Sequence, residues 1–292
     1  MTERFLLYID ILGFAEMTRK EPRKVARIYS ILDGLNVHRH NAFKTIVFSD
    51  TVLVYNPVIP ESKEECEYLV WYLIEFAEDL HHRLTGQDVF FRAVITYGDF
   101  SHYGLKNIDC FYGAALINAY LAEKRLPSVG VFIDDYCNTF NQYFRTEKFN
   151  TDFSFVYMNR ALEALNNLAG GNFPLQAWDP SFEDQTPFLP WQVQFLKDLH
   201  NNMRAHPDPV VRGKFLTAWD FYQKRYPMLT TVLAHSNFDV SAIAGRPAWR
   251  SETAAMTQEI KHFKRIGAGS SLSVQISKRR PKSSRVKGTP QK

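Results

Sequence analysis

The chain has 292 residues, of which 45% are hydrophobic and 23% are charged, and this composition excludes a wholly disordered or fibrous protein. The formal net charge is +4, but residues 265–292 hold eight Lys or Arg and no Asp or Glu, which leaves 27 basic and 31 acidic residues in 1–264. A mildly acidic body argues against a nucleic-acid-binding protein, whose basic face would be the first expected signal.

The cysteines indicate a reducing compartment. Cys66, Cys110 and Cys137 are odd in number and form no C-x-x-C pair, so neither a disulfide framework nor a zinc site is predicted. No apolar run approaches the length of about 18 residues that a membrane-spanning helix needs. We therefore expect a soluble, cytoplasmic protein without a stable nucleic-acid or membrane partner.

The first half of the chain alternates between predicted strands and helices. In chain order these are a strand over 5–12, an amphipathic helix opening near residue 22, a hairpin over 44–55, a helix over 64–84, a strand over 89–96, a helix over 112–125, a strand over 129–133, a helix over 134–144 and a strand over 153–157. This order predicts an α+β fold with a ferredoxin-like core and a mixed, largely antiparallel sheet.

Beyond residue 160 the pattern becomes helical. A short helix is predicted over 161–168, and longer ones near 188–205, 209–225 and 251–264. From residue 267 the chain is rich in Ser, Lys, Arg and Gly, which predicts disorder. We expect three parts: a first domain over 1–160, a C-terminal helical extension over 161–264 and a basic disordered tail over 265–292.

Two aspartates stand in positions that suggest chemistry. Asp10 interrupts a strand of large apolar residues, and Asp50 lies at the tip of the predicted hairpin. A carboxylate among apolar neighbours is costly unless it is paired or bound to a cation. A ferredoxin-like core can bring the first strand and the hairpin together, so we favour a shared divalent-cation site. For Asp50 taken alone, an ordinary turn residue is the simpler interpretation.

Four motifs in this order resemble those of the class III nucleotide cyclases. They are Tyr8-Ile-Asp-Ile-Leu-Gly-Phe, Val47-Phe-Ser-Asp-Thr, Phe91-Arg-Ala-Val-Ile-Thr-Tyr-Gly and Gly113-x-Ala-x-x-x-Ala-x-x-x-Glu123. The resemblance implies a cyclase catalytic domain over 1–160, which converts a nucleoside triphosphate to a 3′,5′-cyclic nucleotide and pyrophosphate.

The resemblance also implies roles for individual residues. Asp10 and Asp50 would hold two Mg²⁺ or Mn²⁺ ions, and the backbone carbonyl of Ile11 would assist. Arg92 would contact the triphosphate, although an ion-paired strand arginine is an equally ordinary interpretation. Because sites in this family lie between two chains, a homodimer is implied.

The sequence departs from the purine cyclases where they read the base. Ile46 and Cys110 occupy the two base-reading positions, and the catalytic Asn and Arg of the family fall at Ile117 and Leu121. Asn118 stands one step away from that register, and we expect it to contribute to substrate binding. The base pocket implied by the resemblance consists of partner-chain residues, which would be Ile46, Phe48, Cys110 and Tyr112, although plain packing is an equally good role for the two aromatic side chains.

This combination resembles the pyrimidine cyclases of bacterial anti-phage (Pycsar) systems. It implies that UTP is converted to cyclic UMP, or alternatively CTP to cyclic CMP, and that the product acts on a separate effector protein. Two other hypotheses stay open. One is a catalytically silent cyclase-like module that binds a nucleotide, and the other is a different two-metal reaction such as dinucleotide synthesis.

Overall fold

A mixed seven-stranded sheet organises the molecule. The computed structural model describes residues 2–175, 187–245 and 249–265. The sheet order is β2-β3-β1-β4-β7-β9-β8, and within it β4 and β7 run parallel while the other neighbours are antiparallel. The described strands are β1 (Glu3–Ile11), β2 (Lys44–Phe48), β3 (Thr51–Tyr55), β4 (Phe91–Asp99), β5 (Ser101–Gly104), β6 (Asp109–Tyr112), β7 (Gly130–Asp134), β8 (Arg145–Lys148) and β9 (Phe153–Tyr157). Strands β5 and β6 form a separate hairpin.

Helices cover both faces of this sheet. Those of the described residues are α1 (Phe14–Lys20), α2 (Pro22–Asp33), α3 (Lys63–Leu84), α4 (Ala114–Arg125), α5 (Asp135–Asn138), α6 (Arg160–Ala169), α7 (Leu189–Ala205), α8 (Pro209–Arg225), α9 (Pro227–His235) and α10 (Trp249–Arg265). The predicted α+β class, with its mixed sheet and C-terminal helices, is confirmed.

Strand β1 lies inside the sheet between β3 and β4. Phe5, Leu6 and Leu7 are completely buried, because side chains of both faces meet helices. This explains why the sequence of β1 is a continuous apolar run rather than an alternating one. The run makes Asp10, near its carboxyl end, the unusual residue of the strand.

The two faces of the sheet have different coverings. On one face, α2 and α3 contribute Ile28, Leu73 and Ile74 to a core shared with Ile9 and Ile95. On the other face, α4 covers the β1–β3 region. Its small residues Ala115 and Ala119 allow close contact with side chains such as Leu6, Tyr8 and Leu53.

Helices α6 to α9 contribute to the core on the face that α4 covers, farther along the sheet, whereas α10 contacts α7 and α2. Phe132 and Phe155 of the sheet share one buried cluster with Phe215, Trp219 and Tyr222 of α8. The ring of Phe155 stacks on Phe221 at 4.3 Å between centroids. The extension therefore completes the core of the sheet, so its residues can reach the ends of the strands.

Several elements differ from the sequence-based expectation. The structure adds α1, the β5–β6 hairpin, β8 and α9, and the helix predicted over 134–144 is limited to Asp135–Asn138. These additions are short, and a few residues give too little periodicity to identify an element. Helix α9 begins where Pro227 occupies a first-turn position directly after α8.

The predicted domain boundaries at 160 and 264 stay predictions. The tail predicted over 265–292 lies outside the described residues except for Arg265, which ends α10. Within the described residues, none of the helices combines the length and apolar character that a membrane crossing requires.

Candidate active site

A row of four residues crosses the sheet near the end of β1. Phe48 of β2 pairs with Thr51 of β3, Thr51 pairs with Asp10 of β1, and Asp10 pairs with Arg92 of β4. Directly opposed residues in antiparallel strands point to the same face. The sheet therefore places Asp10, Arg92, Phe48 and Thr51 side by side on the face that α4 covers.

Asp50 joins this row from the turn between β2 and β3. Its carbonyl oxygen accepts a hydrogen bond of 3.0 Å from the backbone N–H of Ile11. The preceding residue, Ser49, has a φ of 55° in the left-handed region, and its carbonyl accepts a 3.0 Å bond from the Tyr29 hydroxyl. The turn is thus held at the carboxyl end of β1, as the sequence predicted for the two aspartates.

The carboxylates of Asp10 and Asp50 influence each other. Burial, and then the charge of Asp50, raise the pKa of Asp10 to about 6, while Arg92 and Lys214 act in the opposite direction. Two nearby carboxylates repel each other, so a cation between them would relieve the strain. The donor set of two carboxylates with an adjacent backbone carbonyl at Ile11 suits a hard cation such as Mg²⁺ or Mn²⁺.

The protein itself supplies few ligands at this point. The described ranges contain no group of three or more His, Cys, Asp or Glu side chains that could hold a metal ion. Mg²⁺ sites commonly use one or two carboxylates and take further oxygens from substrate phosphates and water. The residues present therefore fit a cation that binds together with a phosphorylated substrate.

Arg92 lies beneath the site and is already paired. It is 5% exposed, and its guanidinium forms a buried ion pair with Glu123 of α4 and donates to the carbonyl of Leu126. Burial lowers its pKa, and the charge of Asp10 opposes this effect. The structure thus gives Arg92 an ion pair within the chain. Its contact with a triphosphate stays a prediction.

Lys214 is a candidate residue that sequence reasoning missed. It comes from α8, and Phe215 beside it packs on Phe90, with 4.7 Å between ring centroids. Because Phe90 accepts a 2.8 Å hydrogen bond from the N–H of Leu12, this contact anchors α8 at the end of β1. Burial and Arg92 lower the pKa of Lys214, and Asp10 raises it. In the described parts of the chain, its ammonium makes no ion pair.

The predicted base-pocket residues fall into two groups. Ile46 lies two residues before Phe48 and shares its face of the sheet, where Ile46 and Phe111 contact the same buried cluster. Cys110 and Tyr112 flank Phe111 in β6 and lie on the opposite face of the hairpin. Within one chain the structure does not unite these two groups, and their role against a partner-chain substrate stays a prediction.

Asn118 is exposed on α4 and lies away from Asp10 within the chain. It borders a separate cavity of about 410 Å³ together with Thr96, Arg125 and Asp134. Thr96 is four residues from Arg92 along β4. Any role for Asn118 in substrate binding would therefore concern the substrate of another chain.

An exposed apolar surface lies beside the candidate site. Phe48 is 70% exposed and Ile117 is 58% exposed, and these residues come from β2 and α4. Other large side chains of α4 and the β5–β6 hairpin are also exposed, namely Tyr103, Leu105, Ile108, Tyr112, Tyr120 and Leu121. Many exposed apolar side chains on neighbouring elements are typical of a protein–protein interface.

Several solved cyclase domains align with about half of this chain. The alignment with the guanylate cyclase domain of RhGC from Catenaria anguillulae includes 53% of this chain and 96% of that domain, with 14% sequence identity and a TM-score of 0.42. The alignment with the guanylyl cyclase domain of RhoGC from Blastocladiella emersonii includes 53% of this chain and 94% of that domain, with 15% sequence identity and a TM-score of 0.43. The alignment with the adenylyl cyclase CyaB from P. aeruginosa includes 53% of this chain and 93% of that chain, with 11% sequence identity and a TM-score of 0.39. No family model and no curated protein matches the chain. Identities and TM-scores at this level do not assign a function.

Proposed function

We propose that this protein is a metal-dependent nucleotide cyclase. The observation that carries the proposal is the meeting of Asp10 and Asp50 at the end of β1, where burial and Asp50 raise the pKa of Asp10. Placing two half-buried carboxylates together lowers the stability of the folded chain unless a cation binds between them. A cation site therefore explains why the fold brings them together. The order of the four cyclase-like motifs supports the same reaction.

The charged residues of the candidate active site each have a role in this proposal. Asp10 and Asp50 would hold two Mg²⁺ or Mn²⁺ ions, assisted by the Ile11 carbonyl. When bound, such ions would supply Lewis-acid activation of the ribose 3′-hydroxyl and would neutralise charge on the triphosphate. Arg92, positioned by Glu123, and Lys214 add positive charge near the phosphates. The chain thereby orients the 3′-hydroxyl oxygen towards the α-phosphorus, so that a new O–P bond forms while the bond to pyrophosphate breaks and the hydroxyl proton is released to water.

The substrate in this proposal is a pyrimidine nucleotide. Apolar Ile46 and the thiol Cys110 stand where purine cyclases carry base-reading polar groups, which supports UTP, with CTP as the alternative. The product, cyclic UMP, would act on a separate effector in anti-phage signalling. Replacing Tyr112 by Ala should change the ratio of UTP to CTP turnover if Tyr112 helps to form the pocket. An unchanged ratio would exclude it.

We further propose that two chains form a homodimer through the apolar surface of β2, α4 and the β5–β6 hairpin. Exposed Phe48, Ile117 and Ile108 support this arrangement. It would also place the exposed Asn118 and Tyr112 near the partner's substrate. Asn118 and Tyr112 are separated from Asp10 within one chain, and an active site formed between two chains would explain this separation.

The test is an incubation of the purified chain with ATP, GTP, CTP or UTP separately, each with Mn²⁺, and identification of the products by mass spectrometry. The proposal expects one cyclic pyrimidine monophosphate that is lost in Asp50→Asn. A cyclic purine product would overturn the substrate, and a linear or two-base product would indicate the alternative reaction. Metal-dependent nucleotide binding without any product would favour the silent module.

A further inference from the structure

A second cavity lies away from the candidate active site. It has a volume of about 300 Å³ and is formed by α3, α7 and the segment that begins α6. None of its lining residues belongs to the row around Asp10. A cavity of this size accommodates one small ligand.

One wall of the cavity is aromatic. The ring of His82 lies 4.2 Å from that of Trp191 and 6.4 Å from that of Phe188, measured between centroids. Burial lowers the pKa of His82, so its ring is neutral near pH 7. Phe188 is 49% exposed at the mouth, whereas Trp191 is buried. Flat rings of this kind offer a stacking surface to a planar ligand.

The opposite wall is polar but already charge-compensated. The Arg160 guanidinium bridges Glu75 at 2.9 Å and Glu78 at 2.7 Å. Asp79 is paired with Arg83 at 2.8 Å. Each guanidinium is thus already engaged by carboxyl groups of α3. A wall without a free positive charge disfavours a phosphorylated ligand and favours an uncharged one.

Buried polar groups at this cavity lack partners. Asn159 is 1% exposed, and among the described residues neither its amide oxygen nor its amide nitrogen has a hydrogen-bond partner. Nε2 of His81, another lining residue, is also buried and has no hydrogen-bond partner in the described ranges. Native proteins rarely leave both atoms of a buried amide unsatisfied, because the lost hydrogen bonds with water are costly. An Asn side chain presents an NH₂ donor beside a carbonyl acceptor. A ligand whose edge carries a hydrogen-bond acceptor beside a donor would therefore satisfy both groups.

We propose that this cavity binds a small, uncharged nitrogen heterocycle of the nucleobase or nucleoside type, stacked against the aromatic wall with its hydrogen-bonding edge on Asn159 and Glu78. Burial raises the pKa of Glu78 to about 7, while Arg160, which donates to both carboxyl oxygens of Glu78, acts in the opposite direction. The inference is independent of the proposed cyclase activity, because it concerns other residues and another cavity.

The experiment is a calorimetric titration of the full chain with adenine, guanine, cytosine and uracil and with their four nucleosides. The proposal expects a Kd of about 100 μM or tighter for at least one compound. In Asn159→Leu, which has a similar volume but no polar atoms, that affinity should fall by about tenfold or more. The thermal midpoint should not fall, because the variant removes an unsatisfied amide.

Two further variants keep the result interpretable. Asn167→Leu changes an exposed residue of α6 and should leave binding unchanged. Phe188→Ala removes a half-exposed ring and should weaken binding about fivefold or more, even if Asn159→Leu fails to fold. The proposal is wrong if no compound binds at millimolar concentration or if binding survives both cavity variants. It is equally wrong if Asp50→Asn abolishes the binding, since the ligand would then occupy the candidate active site.

Discussion

The N–H of Ile11 donates a 3.0 Å hydrogen bond to the carbonyl oxygen of Asp50, and this bond ties the hairpin turn to the end of β1. Because Ile11 directly follows Asp10, the bond fixes one carboxylate-bearing residue against the other. Asp50 raises the pKa of Asp10, as expected for neighbouring carboxylates. The backbone thus holds two like charges together, which is the arrangement that a cation site requires.

The raised pKa of Asp10 predicts how stability depends on pH without metal. The pKa is 3.8 for the free group and about 6 in the folded chain, so the folded state binds more protons between these values. The contribution of Asp10 to stability therefore falls as pH rises from about 4 to about 6.

Urea denaturation in EDTA checks this expectation. Asp10→Asn should become progressively more stable than the wild type across that pH window, and stay so above it. Other titrating groups, including Glu78, are common to both proteins and cancel in the difference. A difference between the two proteins that does not change from pH 4 to pH 7 would disprove the raised pKa.

The buried pair of Arg92 and Glu123 predicts a stability effect that is separate from catalysis. Arg92→Met leaves a buried carboxylate without its partner and should cost about 3–5 kcal/mol of unfolding free energy. The double variant Arg92→Met/Glu123→Leu removes both charges and should recover a large part of that loss. Urea denaturation measures both. A cost below about 1 kcal/mol for the single variant would show that the pair contributes little.

Lys214 should bind the substrate's phosphates. Lys214→Met removes a cation near Asp10 and should raise the KM for the nucleotide about tenfold, the value of a charge-assisted hydrogen bond. Lys224→Met is the matched control on the same helix, because Lys224 pairs with Glu147 instead. Steady-state kinetics of both variants provide the measurement. Equal KM values for the two variants would show that Lys214 does not bind the substrate's phosphates.

The sequence predicted the elements around Asp10 better than the residues that complete the site. The apolar run of β1, the two halves of the hairpin and the periodicity of α3 are local signals, so their bounds and order could be read directly. That order allowed Asp10 and Asp50 to lie at one edge of the sheet, and the backbone hydrogen bond between Ile11 and Asp50 is a tertiary feature that the order alone does not specify.

Lys214 and Glu123 could not be found in the same way. Lys214 reaches the site only because Phe215 packs on Phe90, a contact between residues far apart in sequence. Glu123 ends the fourth motif in the sequence, but its ion pair with Arg92 and its burial depend on how α4 crosses β4. Tertiary packing, rather than local pattern, decides both placements.

The apolar surface of β2, α4 and the β5–β6 hairpin predicts self-association. Ile117→Glu places a charge in that surface and should convert a dimer to a monomer, because an unpaired charge in an interface is costly. Met228→Glu changes a similarly exposed residue on α9 and should leave the dimer intact. Sedimentation velocity distinguishes the species. The surface is excluded as the dimer interface if Ile117→Glu sediments like the wild type.

The central claim, that Asp10 and Asp50 together hold divalent cations, is tested most directly by electron paramagnetic resonance of Mn²⁺ binding. Titration of the wild type in the presence of UTP should show bound Mn²⁺ beyond what UTP alone binds. Asp10→Asn and Asp50→Asn should each reduce this binding by about tenfold or more, since each removes a charged oxygen ligand. Unchanged binding in both variants would contradict the account and leave the two aspartates without a shared role.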